Sequence, residues 1–388
     1  MNKFVFNVPT KVYFGENQLA NLGKELKKYG SRVLLVYGGG SIKKAGLYGK
    51  VTAEVKDAEL ELFELSGIEP NPRVASVNKG AELCRKEHID VILAVGGGSV
   101  IDAAKFIGAG AFYDGDAWDF LTRKARIKNC LPIVTVLTIA ATGSEMDAGG
   151  VISNPETMEK LAGGHPSMLP RASFLDPANT YTVSPFQTAC GAADIISHIF
   201  EAYFNLEQDL YMLDCMAEGL MKTVIKFAPV ALKEPENYEA RANLMWAATW
   251  AINGFLDGGK RQAWSCHPME HELSAFYGIT HGLGLAILTP RWMEYTLDET
   301  TVSKFRQFGC NVFDIEKTLE PMEAAKKGIE LLSGFFFQTL GLASTLTEIG
   351  IDGANFEVMA KKACGGGVLP GFKPLQQKDI EKIFRMCL

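Results

Sequence analysis

Apolar and polar side chains alternate along residues 1–10, the two-residue period of a half-buried strand. Residues 18–29 carry the 3.6-residue period of a helix. From there short β-branched runs and helical stretches take turns. Residues 32–37, 59–65, 91–95 and 133–137 read as strands, and the helical stretches between them include one up to Val55, one over 74–86 and one that starts at Val100. A Gly/Pro/Asn loop occupies 66–73. Strands that alternate with helices predict a mainly parallel sheet covered on both faces. Beyond residue 185 the texture changes. Helical periodicity runs over 186–205, 210–232, 238–254, 285–295, 302–308, 321–340 and 377–386, and strand-like alternation is scarce. The expected organisation is an α/β domain of Rossmann type over residues 1–185 and an all-helical domain over 186–388, with the boundary near Ser184-Pro185.

Composition adds little to that picture but excludes some functions. A chain of 388 residues has the length of two domains, or three. The 47% hydrophobic and 22% charged content is that of an ordinary globular protein. A net charge of −6 and the lack of a basic run argue against a nucleic-acid partner. No apolar span of about 18 residues is present, so no membrane crossing is expected. Residues 1–10 lack a signal-peptide pattern. Eight cysteines are scattered with no Cys-x-x-Cys pair, as expected of reduced thiols in the cytoplasm.

Two of the strands end in glycine turns. Gly38-Gly39-Gly40-Ser41 follows the run at 32–37, and Gly96-Gly97-Gly98-Ser99 follows the run at 91–95. Glycine lets backbone approach a ligand, and the N-terminus of the next helix favours phosphate. Thr138 and Thr142 add hydroxyls at a third strand end. Three such ends in one sheet favour a dinucleotide site over three tight connections. The first turn has no acid to hold a ribose 2′-hydroxyl and is followed by Lys43 and Lys44, which favours NADP(H) over NAD(H).

The densest chemistry lies in the helical half. His267, His271 and His281 fall within fifteen residues, and Asp194 and His198 stand upstream. Asp194 with His198, and His267 with His271, are four apart, so on a helix each pair shares a face one turn apart. A lone histidine on an apolar helix is ordinarily a packed or surface residue. Four of six in two segments point instead to a divalent metal, since imidazole and carboxylate suit iron(II) and zinc. Spacing alone does not choose among the three later histidines. Cys266 adjoins His267 but points about 100° away on a helix, which disfavours it as a ligand.

The motifs Gly96-Gly97-Gly98-Ser99-Val-Ile-Asp102-Ala-Ala-Lys105, Leu137-Thr138-Ile-Ala-Ala-Thr142-Gly-Ser-Glu145, Asp194-x-x-x-His198, the stretch 267–286 and Phe372-Lys-Pro-Leu375 together make the chain resemble the iron-containing (group III) alcohol dehydrogenases over essentially its full length. Within that family it is most similar to the butanol dehydrogenase-like members. The resemblance implies the dehydroquinate synthase-like architecture, an active site in the cleft between two domains, and Asp194, His198, His267 and His281 as ligands of Fe2+, with Zn2+ as the alternative metal. It places His271 near substrate and nicotinamide without ligating. It implies cofactor contacts at Gly97, Gly98, Ser99, Asp102, Thr138, Thr142 and Lys160, beside the turn of Gly38, Gly39, Gly40 and Ser41. The implied reaction is hydride transfer between NAD(P) and a short aliphatic alcohol or aldehyde, in a homodimer that the N-terminal strand helps to form. The competing readings on this architecture are a glycerol dehydrogenase-like polyol oxidoreductase and a lyase of dehydroquinate synthase type. The helical half offers few arginines for the phosphorylated acid such a lyase would take.

Overall fold

The computed structural model describes residues 2–205, 207, 210–261 and 263–388. The chain divides into two compact units. One comprises Asn7–Val183 and Pro235–Asn253, and the other comprises Met1–Phe6, Ser184–Glu234 and Gly254–Leu388.

The first unit is built on strands β1 (Lys11–Phe14), β2 (Arg32–Tyr37), β3 (Glu61–Leu65), β4 (Val91–Gly96), β5 (Ile133–Leu137), β6 (Gly149–Asn154), β7 (Glu159–Gly164) and β8 (Ala172–Leu175). Six of them form one parallel sheet in the order β1-β8-β5-β4-β2-β3. Strand alternation feeds two apolar layers. Leu34, Val36, Ile92 and Ala94 face one side, with the helices Val74–Lys86 and Gly98–Gly110. Val33, Leu35, Val91, Leu93 and Val95 face the other, with the helix Leu47–Asp57. Both sides of the central strands are thus dry, which is why their sequences are continuous apolar runs. The register sets Tyr37 beside Val95 and Gly96 beside Leu137. The carboxyl ends of β2, β4 and β5 therefore lie side by side, and the three turns singled out from the sequence are neighbours.

Several expectations are corrected. Residues 2–10 form no regular strand, and the sheet begins at Lys11 instead, where β1 pairs with β8. Phe4 and Phe6 have the right alternation, but they pack by side chain against Gly258 and Phe255 rather than joining a ladder. The helix over 18–29 is a 3-10 turn at Gln18–Asn21 and a short α-helix at Leu22–Leu26. The antiparallel hairpin β6–β7 and the strand β8 were not expected. The helix Tyr238–Ile252 falls in the α/β unit rather than on the helical side of a division at 185/186. Met245 joins the core on one sheet face, Trp246 meets Phe14 edge-on at 5.5 Å, and Thr249 Oγ1 donates to Glu145 Oε1 at 2.6 Å.

The second unit is helical apart from a two-residue antiparallel ladder between Val368–Leu369 and Leu375–Gln376. Three of its helices matter most for chemistry: Pro185–Tyr203, Cys266–Tyr277 and His281–Thr296. The first has Pro185 in its opening turn, and the Ser184 side chain accepts from Gln187 N as its cap.

Candidate metal centre and strand-end turns

The helix Pro185–Tyr203 is buried along most of its length, so its polar residues are enclosed. Asp194 and His198 sit on it one turn apart, 3% and 5% exposed. Asp194 Oδ1 stands 3.7 Å from His198 Nδ1, 4.0 Å from His267 Nε2 and 3.7 Å from His281 Nε2. One carboxylate oxygen therefore faces a nitrogen of each of three imidazoles. Ligand atoms of Asp194, His267 and His281 all fall within 4.8 Å of one another, and the His198 ring stacks on that of His267 at 4.6 Å. The histidine His271 is half-buried, its ring 6.4 Å from that of His267 and 5.8 Å from that of His281.

The local sequence explains why these groups meet. The helix Cys266–Tyr277 opens with two free backbone donors followed by Pro268, which has none. The Glu201 carboxylate, from the helix Pro185–Tyr203, serves that end. Its Oε2 accepts from Ser265 N at 2.7 Å, and its Oε1 accepts from Cys266 N at 2.9 Å and His267 N at 3.0 Å. Gly282 lets the third helix come close: a Cβ there would sit 2.0 Å from the carbonyl oxygen of Cys190. That approach carries His281 up to Asp194. Cys266 is buried, and burial pushes its thiol well above the ordinary value. It is not among the residues brought together here.

The cluster suits a divalent metal. Burial first, then the neighbouring imidazoles of His267 and His281, hold the His198 pKa well below its ordinary value, so its ring is neutral with a lone pair to give. Among the described residues, His198 Nδ1 and His267 Nε2 are buried with no hydrogen-bond partner. Enclosed imidazole nitrogens of this kind are costly unless something binds them. Two carboxylates near the cluster were missed by the sequence reading, Glu201 and Glu270. The signal was present, because Glu201 lies three residues after His198 and Glu270 three after His267, on the same helix faces as those histidines.

In the α/β unit the turn Gly97–Ser99 opens the helix Gly98–Gly110. Gly98 has no room for a side chain, since a Cβ would lie 2.3 Å from Thr142 Oγ1. Two of the expected cofactor contacts, Gly98 and Thr142, are thus packed on each other. Thr142 Oγ1 in turn accepts from Ser144 N at 3.2 Å. Thr138 N is bonded to Gly96 O at 3.1 Å, which ties the third strand end to the second. Asp102 is 9% exposed, and both its oxygens have protein donors: Ser144 Oγ at 2.6 Å and Val151 N at 2.9 Å. The fully buried Lys105 donates to Ser144 Oγ at 2.8 Å and Gly149 O at 2.6 Å. This network fastens the helix to the threonine turn and to the hairpin. Lys160 is buried in β7, paired in register with Ser153. Gly39 and Ser41 are exposed, and a Cβ on Gly39 would meet nothing within 4 Å.

A parallel sheet with glycine and threonine turns at three adjacent strand ends, in a chain that also encloses a carboxylate among imidazoles, is the equipment of a metal-dependent nicotinamide oxidoreductase. Comparison with known proteins gives the family. The pattern described as iron-containing alcohol dehydrogenase matches residues 9–177, and its C-terminal counterpart matches residues 188–388. The NADH-dependent butanol dehydrogenase A of Clostridium acetobutylicum is 50% identical over 387 residues, 99% of each chain. The NADPH-dependent aldehyde reductase YqhD of Escherichia coli is 39% identical over 371 residues, 93% of each chain. The crystal structure of NADH-dependent butanol dehydrogenase A from Thermotoga maritima superposes with a TM-score of 0.95 at 39% identity, covering 100% of this chain and 99% of that one. The chain belongs to the iron-containing alcohol dehydrogenase family, and it is an alcohol dehydrogenase that works with a nicotinamide cofactor.

Proposed function

We propose that the protein interconverts short aliphatic primary alcohols, butanol among them, and the matching aldehydes, with Asp194, His198, His267 and His281 holding an iron(II) ion. The carrying observation is the convergence of three imidazoles on Asp194 Oδ1 within 3.7–4.0 Å. The size of the substrate is supported by the relatives named butanol dehydrogenases at 46–50% identity. A metal in this cluster supplies Lewis acidity toward an alcohol or aldehyde oxygen. The protein's own groups do the rest. Gly97, Gly98 and Ser99 give backbone donors for the cofactor pyrophosphate, with Gly38, Gly39, Gly40, Ser41, Asp102, Thr138, Thr142 and Lys160 around the remainder of the dinucleotide. His271, half-buried and one turn from His267, moves the alcohol proton toward solvent. Replacing it by alanine is expected to lower turnover with metal content intact, and unchanged turnover would remove that role.

For the cofactor, the open space at Gly39 leaves room for a 2′-phosphate and favours NADP(H). The relatives at 46–50% identity are named NADH-dependent, which favours NAD(H). The deciding experiment is an initial-rate assay with butyraldehyde, NADPH against NADH, on protein reconstituted anaerobically with iron(II) or zinc. Faster NADPH turnover supports the open turn. Faster NADH turnover means that Ser41 and backbone, rather than a side chain at 39, hold the ribose. No rate under any of the four conditions removes the short-alcohol reading.

The working form we infer is a cytoplasmic homodimer. Seven of the eight free cysteines are buried, with Cys215 exposed, which fits a reducing compartment. Phe4, Val5 and Phe6 leave an apolar segment 53%, 94% and 44% exposed, which a second subunit would cover. Among the described residues, no helix is long and apolar enough to cross a membrane. Sedimentation at micromolar concentration tests the dimer, and a monomer there would overturn it.

A further inference from the structure

The two carboxylates beside the ligand cluster repeat one arrangement. Glu201 lies on the helix Pro185–Tyr203, which carries Asp194 and His198, and its Oε1 stands 2.9 Å from Nδ1 of His267 on the next ligand helix. Glu270 lies on that next helix, Cys266–Tyr277, and its Oε2 bonds Nδ1 of His281 on the third. A carboxylate can only accept, so the neutral form of each imidazole that suits this contact carries its proton on Nδ1 and its lone pair on Nε2. Those are the nitrogens that face Asp194 Oδ1, at 4.0 Å and 3.7 Å. Neither carboxylate is placed casually. Glu270 is fully buried, Ser274 Oγ donates to its Oε1, and Gly284 gives it room, since a Cβ there would sit 2.8 Å from Glu270 Cγ. Glu201 also receives three backbone N–H groups.

We propose that Glu201 and Glu270 are positioning residues of the metal centre, the first two helices each contributing, beside their own ligands, the carboxylate that orients the ligand of the helix after it. The order is directional along the chain. The helix of Asp194 and His198 sets His267, and the helix of His267 sets His281. The carboxylates fix tautomer and ring plane, and their charge makes each imidazole a better donor. The inference rests on Asp194, His198, His267 and His281 being the ligands.

The test uses full-length apo-protein and cobalt(II) as the probe, with affinity read by competition against a chelator and ligand geometry read from the visible d–d bands. Glu201→Gln and Glu270→Gln keep side-chain volume but lose the charge and one acceptor. Each is expected to bind cobalt(II) about 10- to 100-fold more weakly than the parent, with altered d–d bands even when saturated. Affinity within twofold of the parent and superimposable bands would overturn the inference for that residue, and a fall in apo-protein Tm alone would assign it to holding the helices together. Should Glu201→Gln fail to fold because it also caps a helix, Glu270→Gln decides. His198→Ala separates the two layers of the argument. If it binds cobalt(II) like the parent, the ligand set itself is wrong. If it loses cobalt(II) while both Gln variants bind like the parent, only the positioning role fails.

Discussion

Glu145 shows how a single side chain near the strand-end turns bears on stability. It is fully buried, its Oε1 accepts from Thr249 Oγ1 at 2.6 Å, and its Oε2 has no hydrogen-bond partner among the described residues. Burial dominates and raises its pKa above the ordinary 4.5. A carboxyl with a raised folded pKa is neutral in both states below 4.5. Above that value the unfolded chain ionises while the folded one holds its proton, so the group's contribution is lost as pH rises toward the folded pKa. Glu145→Gln keeps the bond from Thr249 and removes the titration. Its Tm is expected to exceed the parent's, with a gap that widens from pH 5 to pH 8; a constant or shrinking gap would contradict this account. Gly98 gives the opposite lesson, since any side chain there meets Thr142. Gly98→Ala is expected to weaken binding of the nicotinamide cofactor about tenfold or more, because relieving such overpacking costs on the order of 1–3 kcal/mol. Fluorescence titration with NADH and NADPH would measure it.

Among the elements, the helix Pro185–Tyr203 bears most on the site, and its start depends on one cap. Ser184→Ala is expected to destabilise the protein by about 1 kcal/mol in urea unfolding, with the proposed metal ligands untouched. The spacing of Asp194 with His198 was legible in the sequence because four residues is one helical turn. Spacing alone left His271 and His281 open, and only the family motif separated them; the approach of His281 to Asp194 depends on Gly282 letting two helices come close. Glu201 and Glu270 were visible only as further residues on the same faces; their partners lie on other helices. The strand expected over residues 1–10 failed for a related reason. Alternation is a local property, whereas a ladder needs a partner strand, which Lys11–Phe14 finds in β8. The hairpin β6–β7 was hidden by Gly149, Gly150, Gly163 and Gly164, which remove the alternating pattern at its open end.

At the scale of the molecule, the proposed metal ligands all belong to the helical unit and the proposed cofactor turns to the α/β unit. Chelation is therefore expected to speed amide hydrogen exchange in Pro185–Tyr203, Cys266–Tyr277 and His281–Thr296, with little change in β2, β4 and β5. Uniform acceleration across both units would contradict that separation. The division at 185 read from the sequence marks a real change of texture, but Tyr238–Ile252 shows no sign of its destination. Its apolar residues would suit any core, and only Met245, Trp246 and Thr249 in place reveal which one. The interleaving also constrains how the protein is made. As the nascent chain leaves the ribosome, the sheet emerges first, yet the seat for Met245 on one of its faces and the partner of Glu145 stay empty until Asn253 has been synthesised. A gene fragment that stops near residue 185 would encode every strand of the large sheet and still expose an apolar face, so soluble expression of such a fragment should require residues 235–253 to be grafted back.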